Sequence, residues 1–149
     1  MIQSLILVNR ISETILFSRY YDNSSIYSQR VWERHLRILT YDDWSNVTDN
    51  QELVVTEGAR LVVYSGLGDV VCFIAGTEEH NELVLVEVAR AILEVLRQVC
   101  GSKVTSASVE ASKVDMALYF DEMISPSGDL QRLDKTDLKR MVKMKLSSS

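Results

Sequence analysis

The chain has 149 residues, 46% hydrophobic and 25% charged, with 16 Lys and Arg against 21 Asp and Glu and a net charge of −5. This is the size and balance of one ordinary folded domain with enough apolar material for a core, which excludes a disordered chain. The mildly acidic balance also argues against a general nucleic-acid binder.

Residues 4–9 are nearly all apolar, as a central strand covered on both faces requires. No basic region precedes them and the apolar stretch stops at Asn9-Arg10, so the start reads as a buried strand rather than a signal peptide. No run approaches the ~20 apolar residues of a membrane-spanning helix. A turn at Asn9-Arg10-Ile11-Ser12 leads to a second strand over residues 14–20, close enough to form an antiparallel hairpin. Asp22-Asn23-Ser24-Ser25 supplies turn and capping residues for a helix over residues 26–39. Val31, Trp32, His35, Leu36, Ile38 and Leu39 are expected on its inner side, with Arg30, Glu33, Arg34 and Arg37 outside. His35 reads as a packed histidine.

Three short strands follow, at residues 52–55, 60–64 and 69–75, separated by turns at Glu57-Gly58 and Gly66-Leu67-Gly68-Asp69. The last has no polar side chain from Val70 to Ala75 and belongs in the middle of a sheet. The strongest helix covers residues 80–100, with acidic residues Glu78, Glu79 and Glu82 around its first turn and Gly101 as its C-terminal cap. Glu87, Arg90, Glu94, Arg97 and Gln98 form one narrow polar stripe, in which Glu87 with Arg90, and Glu94 with Arg97 or Arg90, would contribute ~0.2–0.5 kcal/mol each. The rest is apolar, so the helix must be covered on several sides, by later helices of this chain or by a partner.

A helical segment of irregular period spans residues 109–124 and is broken by Ser125-Pro126-Ser127-Gly128-Asp129. A final helix over residues 134–145 turns Leu138, Met141 and Val142 inward. Lys139, Arg140 and Lys143 make this end basic against an acidic body. They form either a solvated face or a dock for an acidic protein surface or anionic lipid.

Catalytic sets are not recognisable. Gly66-Leu67-Gly68 lacks the third glycine of a dinucleotide fingerprint and reads as a hairpin turn. His35 and His80 are far apart with no ligand-spaced neighbours, and Cys72 and Cys100 form no CxxC. Asp42-Asp43 and Asp121-Glu122 are adjacent pairs whose carboxylates point different ways. No enzyme, metal or cofactor is therefore expected. Trp32 and Trp44 read as partner anchors or as core, and Val84, Val88, Ala91 and Val95 as partner-facing positions on the long helix.

The order strand-strand-helix-strand-strand-strand-helix-helix predicts an α+β fold, a five-stranded mainly antiparallel sheet with helices on both faces. Three features are collinear with a known family. They are Asn81-Glu82-Leu83 followed by Glu87, Asp121-Glu122-Met123 before Gly128, and the opening Leu5-Ile6-Leu7-Val8-Asn9. On these residues the chain resembles the longin-like small subunits of vesicle coat adaptors, the sigma subunits of clathrin adaptors and the zeta subunit of COPI, over residues 1–145. Further stretches are similar to the small subunit of the TSET or TPLATE complex, an adaptor-like coat implicated in endocytosis at the plasma membrane. These are Val63-Tyr64, Leu67-Gly68-Asp69-Val70, Val99-Cys100-Gly101 and the basic ending from Leu138 to Lys145.

The resemblance implies one longin-like domain over residues 1–146 with a Ser tail at 147–149. It also implies a non-enzymatic coat subunit in contact with a large adaptin-like subunit and a medium subunit, with no nucleic acid. Its place would be cytoplasmic, peripheral on the plasma membrane or coated vesicles. A COPI zeta or clathrin-adaptor sigma subunit is the alternative, and a stand-alone longin module binding a small GTPase or SNARE a further one. Sigma subunits read acidic dileucine signals through a basic rim. Here the rim positions hold Ile15, Ser65-Gly66 and Ser102-Lys103, so such binding is expected to be lost or weak.

Overall fold

A computed structural model describes residues 1–40, 44, 46–77, 82–131, 140 and 143. β1 (Ile2–Asn9) and β2 (Ile15–Tyr20) form the expected hairpin. Its turn is held by the Asn9 side chain, whose Oδ1 accepts from the backbone N–H groups of Ile11 at 2.9 Å and Ser12 at 3.1 Å. α1 (Ile26–Thr40) follows, then β3 (Glu52–Glu57), β4 (Arg60–Leu67) and β5 (Val70–Thr77). The five strands are antiparallel in the order β2-β1-β5-β4-β3. The two most apolar strands, β1 and β5, lie side by side in the interior of the sheet, where both faces are covered.

Strand alternation divides the core in two. Leu5, Leu7, Val63, Cys72 and Ile74 face α2 (Glu82–Cys100), α3 (Ser106–Ala111) and α4 (Lys113–Met123). Ile6, Val8, Val62, Tyr64, Val71 and Phe73 face α1 with Trp32, Leu36, Trp44 and Val47. Ile2 joins the α2 side although its parity is wrong, because a register shift between Ile2 and Ser4 re-phases the strand. The fold is thus α+β with helices on both faces of one sheet.

Several expectations need correction. In α1 only Trp32, Leu36 and Thr40 are buried, one residue per turn, while Val31 and Ile38 are 48% and 76% exposed. The helix meets the sheet along a single ridge, so apolar residues off that ridge face solvent. His35 is not a core residue. It is half-exposed and its Nε2 lies 3.0 Å from Glu57 Oε1.

The long helix is covered by its own chain: Leu85, Val88, Ala89, Ile92, Leu93, Val95 and Leu96 are all buried against the sheet, α3 and α4. Of the two sources of cover, the later helices supply it. Arg90 pairs with Glu52 of β3 rather than with Glu87, while Glu94 and Arg97 pair as expected.

The irregular period after residue 105 has a physical cause. The segment is two helices that break at Ser112, whose backbone sits at φ −108°, ψ 12°. A capping box at Thr105 and Ser108 starts α3, and Ser112 Oγ donates to the Val99 carbonyl at 3.2 Å, tying the break to the end of α2. The turn after α4 returns to β1, where the Ile2 N–H donates to the Gly128 carbonyl at 2.8 Å. The expected helix over residues 134–145 and the Ser tail lie largely outside the described residues. Arg140 and Lys143 are helical and exposed.

Candidate functional site

Trp32 and Trp44 belong to the interior. Trp32 is 8% exposed, and its indole N–H donates to Ser4 Oγ at 3.3 Å. The Arg60 guanidinium lies over its ring, 4.6 Å from the centroid. Trp44 is 3% exposed, donates to Thr40 Oγ1 and packs on Phe73 with centroids 5.2 Å apart. These side chains fix α1 to the sheet and offer a partner little surface, in line with the core alternative for both.

The four long-helix positions divide in a similar way. Val88 and Val95 are buried, Val84 and Ala91 half-buried. Past the exposed Leu83 in its first turn, the outward stripe of α2 is polar, with Arg90 on Glu52 and Arg97 on Glu94 and Asn50. Lys139 lies outside the described residues. Arg140 and Lys143 are exposed, and each already interacts within the chain.

The surface that sequence reasoning missed is the outer face of α1. At 100° per residue, Tyr27, Val31, Arg34 and Ile38 stand opposite Trp32, Leu36 and Thr40. Tyr27 is 79% exposed and Ile38 76%. The signal was present: the Trp32, Leu36, Thr40 series at every fourth residue defines one inner ridge, and Val31 and Ile38 do not fall on it.

Arginines flank this apolar stripe. Arg37 is paired with Glu13, and Glu33 accepts from the Tyr20 hydroxyl at 2.7 Å. Burial, then the hydrogen bond and charge of Glu33, push the Tyr20 phenol far above its usual range. Arg30 and Arg34 are exposed and make no hydrogen bond or ion pair among the described residues. Between α1 and the first hairpin is a cavity of about 190 Å³, with Ile6, Val8, Leu36 and Phe73 in its walls and Arg30, Arg34 and Arg37 among its lining.

The positions compared above with the rim of sigma subunits are also visible. Ile15 is 39% exposed and apolar. Ser65 is fully buried, its Oγ without a hydrogen-bond partner among the described residues. Arg10 lies over Gly66, where it donates to the Val47 carbonyl at 2.6 Å and meets Asp49 at 3.5 Å. Ser102 and Lys103 are exposed.

No group of His, Cys, Asp and Glu that could hold a metal ion is found among the described residues, nor a helix long and apolar enough to cross a membrane. No protein-family model matches the chain. It is similar to TSET complex member tstD of Dictyostelium discoideum, at 34% identity over 125 residues, 83% of this chain and 80% of that protein. Its fold is similar to a chain of a homology model of the full-length AP-3 complex in a stretched open conformation. That match has a TM-score of 0.68 and 12% identity, covering 99% of this chain and 95% of the other.

Proposed function

This chain belongs to the family of TSET complex member tstD, and from that membership we propose that it is the small subunit of an adaptor-like coat complex of the TSET type, acting in vesicle transport. The observation that carries the reading is 34% identity to a TSET complex member along four-fifths of both chains. The longin-like α+β fold, similar to an adaptor-complex chain over nearly its whole length, agrees with it. The subunit acts without catalysis, by binding a large adaptin-like chain and a medium subunit. It reaches the cytoplasmic side of the plasma membrane or coated vesicles through that complex.

Because α2 is covered by its own chain, the attachment does not rest on the apolar circumference of that helix. Its apolar face is already occupied, so the partner meets a surface this chain has already formed. Loss of the sigma-type dileucine site belongs to the same reading. A peptide carboxylate would meet Ile15 and the buried Ser65 where a sigma subunit offers arginine, and Arg10 at Gly66 is already engaged by Asp49 and the Val47 carbonyl.

Affinity purification of the tagged full-length chain from its own cells tests the proposal. A large adaptin-like chain and a medium subunit recovered in equal amounts with it are expected. Recovery as a monomer with neither chain overturns the reading. An acidic dileucine peptide titrated into the purified complex is expected not to bind at this subunit, and micromolar binding lost on mutation of this chain would overturn that part.

A further inference from the structure

We propose that the outward face of α1, with Tyr27, Val31 and Ile38 along its crest and Arg30 and Arg34 beside them, is where a helix of the large partner chain docks. That helix is apolar at its centre and carries carboxylates opposite the two arginines. The inference rests on the coat-subunit reading above and names the surface through which that reading operates.

Three observations support it. First, exposed apolar bulk is concentrated on this element: Ile26, Tyr27, Val31 and Ile38 are four of the eight large hydrophobic residues that stand exposed among the described residues. Three of them follow one stripe along about 16 Å of helix, whereas the outward stripe of α2 has a single exposed apolar residue, Leu83, and is otherwise polar, with Arg90 and Arg97 in ion pairs. A ridge of side chains along a helix axis is the shape into which the groove of another helix fits.

Second, the charge beside the stripe opposes that of the molecule. The chain carries −5 overall, yet α1 holds Arg30, Arg34 and Arg37 against Glu33 alone. Glu33 and Arg37 are taken by Tyr20 and Glu13. Arg30 and Arg34 remain as two exposed cations with no hydrogen bond or ion pair among the described residues, and their complement is a pair of carboxylates. Third, that charge pattern disfavours a second copy of this chain. A two-fold contact through α1 would set the arginines of one copy against those of the other.

The test uses the full-length chain within the affinity-purified complex. A photo-crosslinking residue at position 31 is compared with one at position 114, because Val114 is 74% exposed on α4. Position 31 is expected to crosslink to a helical segment of the large chain that contains Asp or Glu, and position 114 is expected not to reach that segment. The double variant R30E/R34E is expected to reduce recovery of the large chain about tenfold. Arginine or lysine in place of the facing carboxylates should restore it, while the isolated variant keeps the melting temperature of the unmutated chain.

Crosslinks from position 31 to a second copy of this chain, to lipid or to nothing, while the large chain is still recovered, overturn the docking surface and leave the coat-subunit reading intact. Failure to recover a large chain with the unmutated protein overturns both.

Discussion

Arg10 and Gly66 occupy the same space: a Cβ on residue 66 would sit 2.5 Å from an Arg10 guanidinium nitrogen and 2.9 Å from Val47 Cγ1. The β1–β2 turn delivers a cation into the gap left by a missing side chain on β4. There it donates to the Val47 carbonyl and meets Asp49, whose Oδ1 also accepts from the Gly68 N–H at 3.2 Å. Gly66→Ala must therefore displace Arg10, and is expected to lower stability by about 1–3 kcal/mol, read as a fall in denaturation midpoint. Installing arginine at residue 66, where a sigma subunit has one, should cost at least as much. A neutral effect would show that Arg10 is not fixed there.

Trp44 is expected to act on stability. Its ring fills the α1-side core against Phe73 and Thr40, so Trp44→Ala should lower unfolding free energy by about 3–5 kcal/mol. In a complex assembled at low temperature, where the variant stays folded, affinity for the proposed large partner should be unchanged. A variant of normal stability that loses its partner would restore Trp44 to the interface.

Tyr20 makes stability fall at alkaline pH. In the unfolded chain its phenol ionises near 10.0, while in the fold burial and Glu33 hold the proton to higher pH. Its contribution is complete below pH 10 and is lost as pH climbs from there towards the folded value. Melting temperature measured against pH should decline above 10 more steeply for the unmutated chain than for Tyr20→Phe. Parallel curves would contradict this.

Gly128 should tolerate no side chain. Its φ is +87°, and a Cβ there would lie 2.3 Å from the Ile2 carbonyl oxygen, a backbone atom that cannot step aside. Gly128→Ala is expected to cost more than about 2 kcal/mol. Hydrogen exchange at the Ile2 amide, which donates to Gly128, should accelerate. Unchanged exchange would mean that the turn does not hold the start of β1.

Strand content was legible because Leu5 to Val8 of β1 and Val70 to Ala75 of β5 carry no polar side chain and because Gly58 and Gly68 sit in the two turns between the later strands. The helices were harder. In α1, hydrophobicity placed Val31 and Ile38 inside, yet the sheet accepts only the ridge of Trp32, Leu36 and Thr40, and Thr40 is polar. Its hydroxyl is buried because it donates to the Leu36 carbonyl at 2.6 Å, a local bond that composition does not reveal.

For α2 the apolar circumference was read correctly, but a single sequence does not say whose atoms cover it. Ser112 decided that by turning α4 back across α2, where Tyr119 receives a hydrogen bond from Gln98 at 3.0 Å. Asp121 and Glu122 diverge as adjacent helical residues must: Asp121 reaches Arg19 at 3.6 Å in solvent, and Glu122 is buried. The α1 surface was missed for the same reason that its core was over-counted.

The strand order also constrains how the protein is made. β1 emerges from the ribosome early, but its neighbour on one side, β5, follows only after everything from Arg10 to Asp69 has been synthesised. Until then the first hairpin carries a bare, greasy edge able to join any passing strand. The strand order thus asks that this edge be kept from other strands during synthesis, a demand that no contact of the finished fold can meet.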